Sequence, residues 1–311
     1  MRTLDVICPV FNEAAVIGDF HSVLRQQLDA LKDRYQTRII FVVDRSTDGT
    51  EDVVQRLCTS DPSLTAIVLS ARFGHQMSLV AGMDHSTADW CVMMDCDLEH
   101  PPSVIPQLLE KGEQGFDVVY TVRQYAAEVS WLKRITSSLY YHFINAMTDL
   151  SVQDGSADFR LISGKVRDVF KHALREQNQF LRGLISWVGF RSTFVVFQSQ
   201  TRKAGESKYR LRKLLRFAAV GIISFSRKPL RLAIYASVVT AALALSTLAY
   251  HLYAWLRYAN LPPGWTTLAL LISIIGSVQL LVLGIIGEYL GFIFEEVKRR
   301  PLYIVDHTLN G

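Results

Sequence analysis

Over its first hundred residues the chain alternates short, nearly unbroken apolar runs with stretches whose apolar positions recur every three or four residues. The runs at 4–10, 38–43, 66–69 and 90–94 predict buried strands, and the stretches at 14–31, 49–58 and 76–85 predict helices between them. A strand that is apolar along its whole length is buried on both faces. The pattern therefore predicts an α/β domain with a mostly parallel sheet and helices on both sides. In such sheets ligands bind beyond the carboxyl ends of the strands. Asp44 follows the second run, and Asp95 and Asp97 follow the fourth. Acidic chemistry is thus expected at one edge of the sheet.

The pattern changes after Pro229. Residues 232–256 carry no formal charge, and residues 266–294 carry only Glu288. Each segment is long enough to cross a bilayer with some tilt. The connection at 257–265 contains Pro262-Pro263-Gly264, which predicts an antiparallel transmembrane hairpin. Basic residues gather before the first span (Lys208, Arg210, Arg212, Lys213, Arg216, Arg227, Lys228, Arg231) and after the second (Lys298, Arg299, Arg300). The positive-inside rule then places both ends of a multi-pass chain, and the α/β domain, on the cytoplasmic side of the inner (plasma) membrane. Residues 130–147 and 207–223 show apolar stripes beside basic residues and predict interfacial amphipathic helices, with packing on the sheet as the alternative. The expected organisation is a catalytic domain over 1–206, an amphipathic juxtamembrane helix over 207–231, two transmembrane helices over 232–294 and a cytoplasmic tail over 295–311. Gly287-x-x-x-Gly291 permits close helix contact and leaves room for a homo-oligomer.

Composition narrows this picture. Half of the 311 residues are hydrophobic, and the excess lies in the C-terminal spans. The net charge of +4 is mixed in sign over the first 200 residues, which argues against a nucleic-acid partner. Cys8, Cys58, Cys91 and Cys96 fit no zinc spacing and read as reduced core residues. Residues 1–5 run into a strand without the apolar core of a signal peptide, so the first domain is expected to stay in the cytosol.

Asp95-Cys96-Asp97 carries the clearest chemistry. Alternation along a strand would point Asp95 and Asp97 to one side, with Glu99 continuing the row. Neighbouring carboxylates repel unless a cation or shared proton compensates, and an all-oxygen donor set suits Mg²⁺ or Mn²⁺. The metal ligands expected here are Asp95, Asp97 and Glu99, and a bound cation would neutralise a departing nucleoside diphosphate. His75, His85 and His100 also draw attention. For His100, beside the acids, the expectation is a loop histidine hydrogen-bonded to backbone rather than a ligand.

Several ordered segments carry a resemblance: Cys8-Pro9-Val10-Phe11-Asn12-Glu13, the stretch from Val43-Asp44-Arg45-Ser46 to Thr50, Arg72-Phe73-Gly74-His75, and Met94-Asp95-Cys96-Asp97-Leu98-Glu99-His100. They resemble the motifs of family 2 glycosyltransferases. Downstream, Ser156 to Leu161, Phe180-Leu181-Arg182-Gly183, and Arg202-Lys203-Ala204-Gly205-Glu206-Ser207-Lys208 resemble the polyprenyl-phosphate branch, which includes dolichyl-phosphate mannose synthase and bactoprenol glucosyl transferases. The resemblance implies a GT-A, Rossmann-like fold. It also implies a nucleotide-sugar donor bound by Pro9, Asn12, Glu13, Asp44 and Asp95, and Asp158 as the proposed base, with Asp97 beside it in catalysis. Arg45 and Glu99 depart from the usual family pattern.

A lipid phosphate is already anionic near neutral pH, so it needs positioning more than deprotonation. Arg182, Arg202, Lys208 and Arg160 are the candidate clamps, because guanidinium forks match phosphate oxygens. Asp158 could then orient rather than accept a proton. The leading expectation is inverting transfer of a hexose, from UDP-glucose first and from GDP-mannose or another UDP-sugar next. The acceptor is polyprenyl phosphate, such as undecaprenyl phosphate, and the product is β-linked. A processive polysaccharide synthase and a non-catalytic membrane scaffold or flippase partner stand as alternatives.

Overall fold

The computed structural model describes residues 1–124, 156–198, 226, 228–257 and 264–310. The expected interfacial helices at 130–147 and 207–223 lie outside the described residues, as do Arg202 and Lys208.

The predicted strands form, the first three extended at their starts and the fourth one residue shorter: β1 (Arg2–Val10), β2 (Tyr35–Val43), β3 (Leu64–Leu69) and β4 (Trp90–Met93). Between them lie α1 (Ile17–Asp29), α2 (Thr50–Ser60) and α3 (His75–His85). There follow α4 (Ile105–Glu113), β5 (Val118–Gln124), β6 (Ser156–Ser163), α5 (Gly164–His172), α6 (Leu181–Trp187) and β7 (Ser192–Gln198). Two long helices, α7 (Lys228–Arg257) and α8 (Trp265–Lys298), precede a last strand, β8 (Val305–Leu309).

All the strands join one sheet in the order β7-β5-β6-β4-β1-β2-β3-β8. The centre, β4-β1-β2-β3, is parallel, while β6 runs antiparallel to β4 and β5, and β8 antiparallel to β3. Strand alternation splits the core in two. Val6, Cys8, Val10 and Phe41 meet Phe20, Leu24, Val54 and Leu108 on one face. Ile7, Ile40, Val42 and Ile67 meet Leu79, Met83, Phe170 and Leu184 on the other. Layers of helices thus cover both faces of the sheet, as the apolar runs predict. Helix α3 lies so close to β1 that a Cβ on Gly82 would stand 2.2 Å from Ile7 Cγ2. That glycine is a packing requirement.

The long helices behave differently. Lys228–Ala254 and Leu270–Lys298, of 27 and 29 residues, hold 18-residue stretches with mean hydropathies of 1.9 and 2.4, of which only 6% and 0% is buried within the protein. At about 1.5 Å per residue each exceeds the roughly 30 Å hydrocarbon core of a bilayer. A soluble core helix would hide such a surface, so these two helices associate with a membrane. They pack on one another.

The C-terminal segment departs from the expected tail at 295–311. Arg299 turns out of α8 in the left-handed region (φ 49°), Leu302 is buried, and β8 pairs with β3 in the register Ala66–Leu309 to Leu69–Val305. The Asn310 amide donates to the carbonyls of Cys58 (2.6 Å) and Leu64 (3.1 Å). The physical reason is that β3 would otherwise present an unpaired edge. Short and apolar only at its two ends, Val305–Leu309 gives a weak strand signal of its own, and its partner lies more than two hundred residues away.

Candidate active site

The carboxyl ends of β1–β4 open onto a set of loops stitched together by side chains. Asn12 occupies the left-handed region (φ 55°), which its short polar side chain tolerates. Its Oδ1 accepts from Thr47 N–H (2.9 Å), and its own N–H donates to Ser46 Oγ (3.1 Å). Glu13 N–H donates to Thr50 Oγ1 (3.0 Å), and Ala14 N–H to Asp48 Oδ2 (3.1 Å). The Pro9 carbonyl accepts from Cys96 Sγ at 3.6 Å. Asp44 is 3% exposed and accepts from Phe73 N–H (2.7 Å) and Gly74 N–H (2.9 Å). The acid at the end of β2 therefore fixes the loop leading into α3. Arg72, in the same loop, stacks over Phe11 at 4.0 Å from the ring centroid. All four cysteines are buried and free, and burial, with Cys8 alongside, pushes the Cys96 thiol upward.

The Asp95–Glu99 loop differs from the expected strand row. Strand β4 ends at Met93, and the chain turns through Leu98 with φ at 59°. A positive φ is costly for a bulky L-residue and recurs where function holds the backbone in place. Asp97 Oδ1 accepts from Glu99 N–H (3.0 Å), which closes the turn. Because the chain turns here, alternation no longer brings Glu99 into line. Among the described residues no three His, Cys, Asp or Glu side chains converge as a ligand group. Asp97 is pushed upward first by burial and then by the charge of Asp95. Two adjacent oxygen donors that repel one another fit Mg²⁺ or Mn²⁺, which take few protein carboxylates and complete their shell with phosphate oxygens and water.

Two histidines complete this half of the site. His75 opens α3, and its Nε2 lies 2.7 Å from Asp95 Oδ1. His100 is 2% exposed and packs on Phe159 (5.4 Å between centroids) and Phe197 (5.9 Å), with Nδ1 3.7 Å from Asp95 Oδ2. His100 lies in a loop, as the sequence predicts, and is packed against aromatic rings beside an acid. Burial raises the Asp95 carboxyl, but the hydrogen bond and charge of His75 outweigh it, and the net direction is down.

Across the cleft, β6 delivers Asp158. Arg182, from the first turn of α6, grips it with two parallel hydrogen bonds, Nε to Oδ1 and Nη2 to Oδ2, both 2.8 Å. Arg160 adds Nη2 to Oδ1 at 2.7 Å and is itself 1% exposed. Burial raises the Asp158 carboxyl, yet Arg182 and then Arg160 hold it well below the usual carboxylate range. A carboxylate so stabilised is a poor proton acceptor. Arg160 and Arg182 were both expected to face a lipid phosphate. In the structure each meets Asp158, Arg160 from within the core and Arg182 with a third of its side chain still exposed. The sequence signal for this pairing is Asp158 and Arg160 two residues apart on one strand; Arg182, 24 residues from the acid, gives none.

A family model described as Glycosyl transferase family 2 matches residues 5–170, and one described as GtrB C-terminal hairpin matches residues 228–293. The chain is 38% identical over 303 residues to an uncharacterized glycosyltransferase, YkcC, of Bacillus subtilis (strain 168), covering 97% of this chain and 93% of that one. It is 35% identical over 308 residues to the bactoprenol glucosyl transferase of Shigella phage SfII, covering 99% of each. A prophage bactoprenol glucosyl transferase homolog of Escherichia coli (strain K12) is 34% identical over 302 residues, covering 97% and 98%. Among solved structures, glucosyl-3-phosphoglycerate synthase from Mycobacterium tuberculosis, in complex with Mn²⁺, UDP-glucose and phosphoglyceric acid, matches at 18% identity with a TM-score of 0.46, over 72% of this chain and 79% of that one.

Proposed function

The chain belongs to glycosyl transferase family 2, and from that premise we propose that it transfers a hexose from a nucleotide sugar to polyprenyl phosphate at the cytoplasmic face of the inner membrane. What carries this reading is the join between the membrane helices and the site. Gln177 N–H donates to Glu296 Oε1 (2.6 Å) and its side chain to Arg300 O (2.6 Å), and the same loop runs on to Arg182. A phosphate presented at a membrane surface would arrive where this loop begins. The names of the bactoprenol glucosyl transferases, similar along the hairpin as well as the sheet, point to the same class of acceptor.

In this reading Pro9, Asn12, Glu13 and Asp44 form the nucleoside side of the donor site. Asp95 and Asp97 would hold Mg²⁺ or Mn²⁺, which when bound neutralises charge on the leaving nucleoside diphosphate. The acceptor phosphate is already anionic, so no base is required. Asp158 keeps Arg182 extended toward the acceptor, and Arg202 and Lys208 supply further positive charge. A phosphate oxygen forms its bond to the anomeric carbon as the bond to the diphosphate oxygen breaks, and the electron pair leaves with the nucleotide. One such displacement inverts the centre and gives a β-linked product from an α-linked donor. UDP-glucose is the first donor to try, then GDP-mannose and other UDP-sugars. Both helices cross the bilayer, with the domain and both termini cytoplasmic.

The test is incubation of the purified full chain with undecaprenyl phosphate, Mg²⁺ or Mn²⁺ and each labelled donor. A single-hexose lipid phosphate, lost on chelation of the metal, is the expected product. No lipid-linked sugar from any donor overturns the reading, and a polymer would replace it with processive synthesis.

A further inference from the structure

Asp95 is approached by a row of hydrogen bonds that begins on the opposite side of the cleft. Leu181 N–H donates to Gln76 Oε1 at 3.2 Å. Gln76 Nε2 stands 3.2 Å from His75 Nδ1, and His75 Nε2 stands 2.7 Å from Asp95 Oδ1. A backbone N–H can only donate, so Leu181 fixes which end of the Gln76 amide faces it. The amide NH₂ is thereby turned toward His75, where it can only donate as well. Nδ1 must then offer its lone pair, and the ring proton sits on Nε2, aimed at Asp95. Gln76 opposes a second proton at Nδ1.

We propose that Gln76 is a positioning residue: held by Leu181, it selects the His75 tautomer that donates to Asp95 and so fixes that carboxylate for donor binding. Its functional half rests on the transferase reading above. The opposite tautomer would present a lone pair to a carboxylate oxygen, and Asp95 would swing away from its place beside Asp97. The row also starts one residue before Arg182, which grips Asp158. One side-chain amide therefore references the donor carboxylate to the helix that carries the acceptor-side arginine. Partners standing behind a ligand in this way commonly alter affinity or activity by about 10–100-fold when removed.

Two substitutions separate positioning from simple support of α6. Gln76→Glu can still accept from Leu181 N–H but cannot donate to Nδ1, whereas Gln76→Met loses both bonds. The full-length protein, labelled with ¹⁵N-histidine, is examined by NMR, with His75→Gln used to assign the signal. The wild type is expected to show a neutral ring protonated at Nε2, and both variants to lose that signature. With UDP-glucose or GDP-mannose and undecaprenyl phosphate, both variants should lose kcat by about tenfold or more, while the KM for the lipid phosphate changes less. Wild-type kcat and an unchanged ring signature in Gln76→Glu would overturn the proposal. So would a wild-type ring protonated at Nδ1. If no donor supports transfer by the wild type while the ring signature behaves as expected, the transferase reading fails, and the tautomer assignment stands by itself.

Discussion

Asp95 and Asp158 face one cleft, yet they are satisfied in different ways. Asp158 is neutralised by two arginines, which stay charged at every pH the protein experiences. Asp95 is approached by histidines and has a second acid, Asp97, two residues away. One carboxylate thus has its counter-charge built in, and the other pair retains negative charge to spend on a ligand. The comparison separates a part of the site that is complete within the chain from a part that awaits a cation and a diphosphate.

Removing charge from the unfinished side should have the largest effect on turnover. Asp97→Asn is expected to lower sugar transfer by about 10²–10³-fold. Relief of the repulsion with Asp95 should leave the thermal midpoint unchanged or slightly raised. A variant that kept wild-type turnover would break the distinction between the two centres.

On the finished side the expected cost is stability. Asp158→Asn leaves Arg160 buried without its carboxylate partner, a change of about 3–5 kcal/mol for buried pairs, read as a lower denaturant midpoint. The folded Asp158 carboxyl lies below its unfolded value of roughly 3.9. Its stabilisation is therefore fully present above that pH and lost as pH falls through the folded value. The gap between wild type and variant should accordingly stay constant near neutrality and close only in strong acid. A gap that widened with acid would contradict the pairing.

A smaller effect sharpens the contrast from a distance. Gly82→Ala forces α3 away from Ile7 and should cost about 1–3 kcal/mol. Because α3 carries His75, donor affinity measured by calorimetry should fall, while the acid sensitivity assigned to Asp158 should not shift. Equal disturbance of both centres would show that they are not held independently.

Much of the sheet was legible in the sequence. The runs at 38–43 and 66–69 became β2 and β3 because a strand buried on both faces must be apolar at nearly every position. The acids fell at strand ends because that is where a parallel sheet stops and its loops begin. Membrane-length helices were legible for a similar reason, since a bilayer demands an apolar length that few soluble segments have. The rest depended on distant partners. Val305–Leu309 is a strand only because β3 lacks a neighbour. His100 is an aromatic-packed residue only because Phe159 and Phe197 surround it. Arg160 reads as a phosphate clamp until β6 carries it into the core.

By itself, the sequence determined the order of strands and helices over the first hundred residues, the apolar hairpin and the acids placed at the sheet's edge. These follow from local rules: periodicity, length and the chemistry of residue types. The tertiary structure decided which of those charges are already matched and which are left for a ligand. Asp95, Asp97 and Asp158 carry the same functional group, and no local pattern distinguishes them. Only the fold, by bringing Arg182 to Asp158 and His75 to Asp95, sets how tightly each holds its charge.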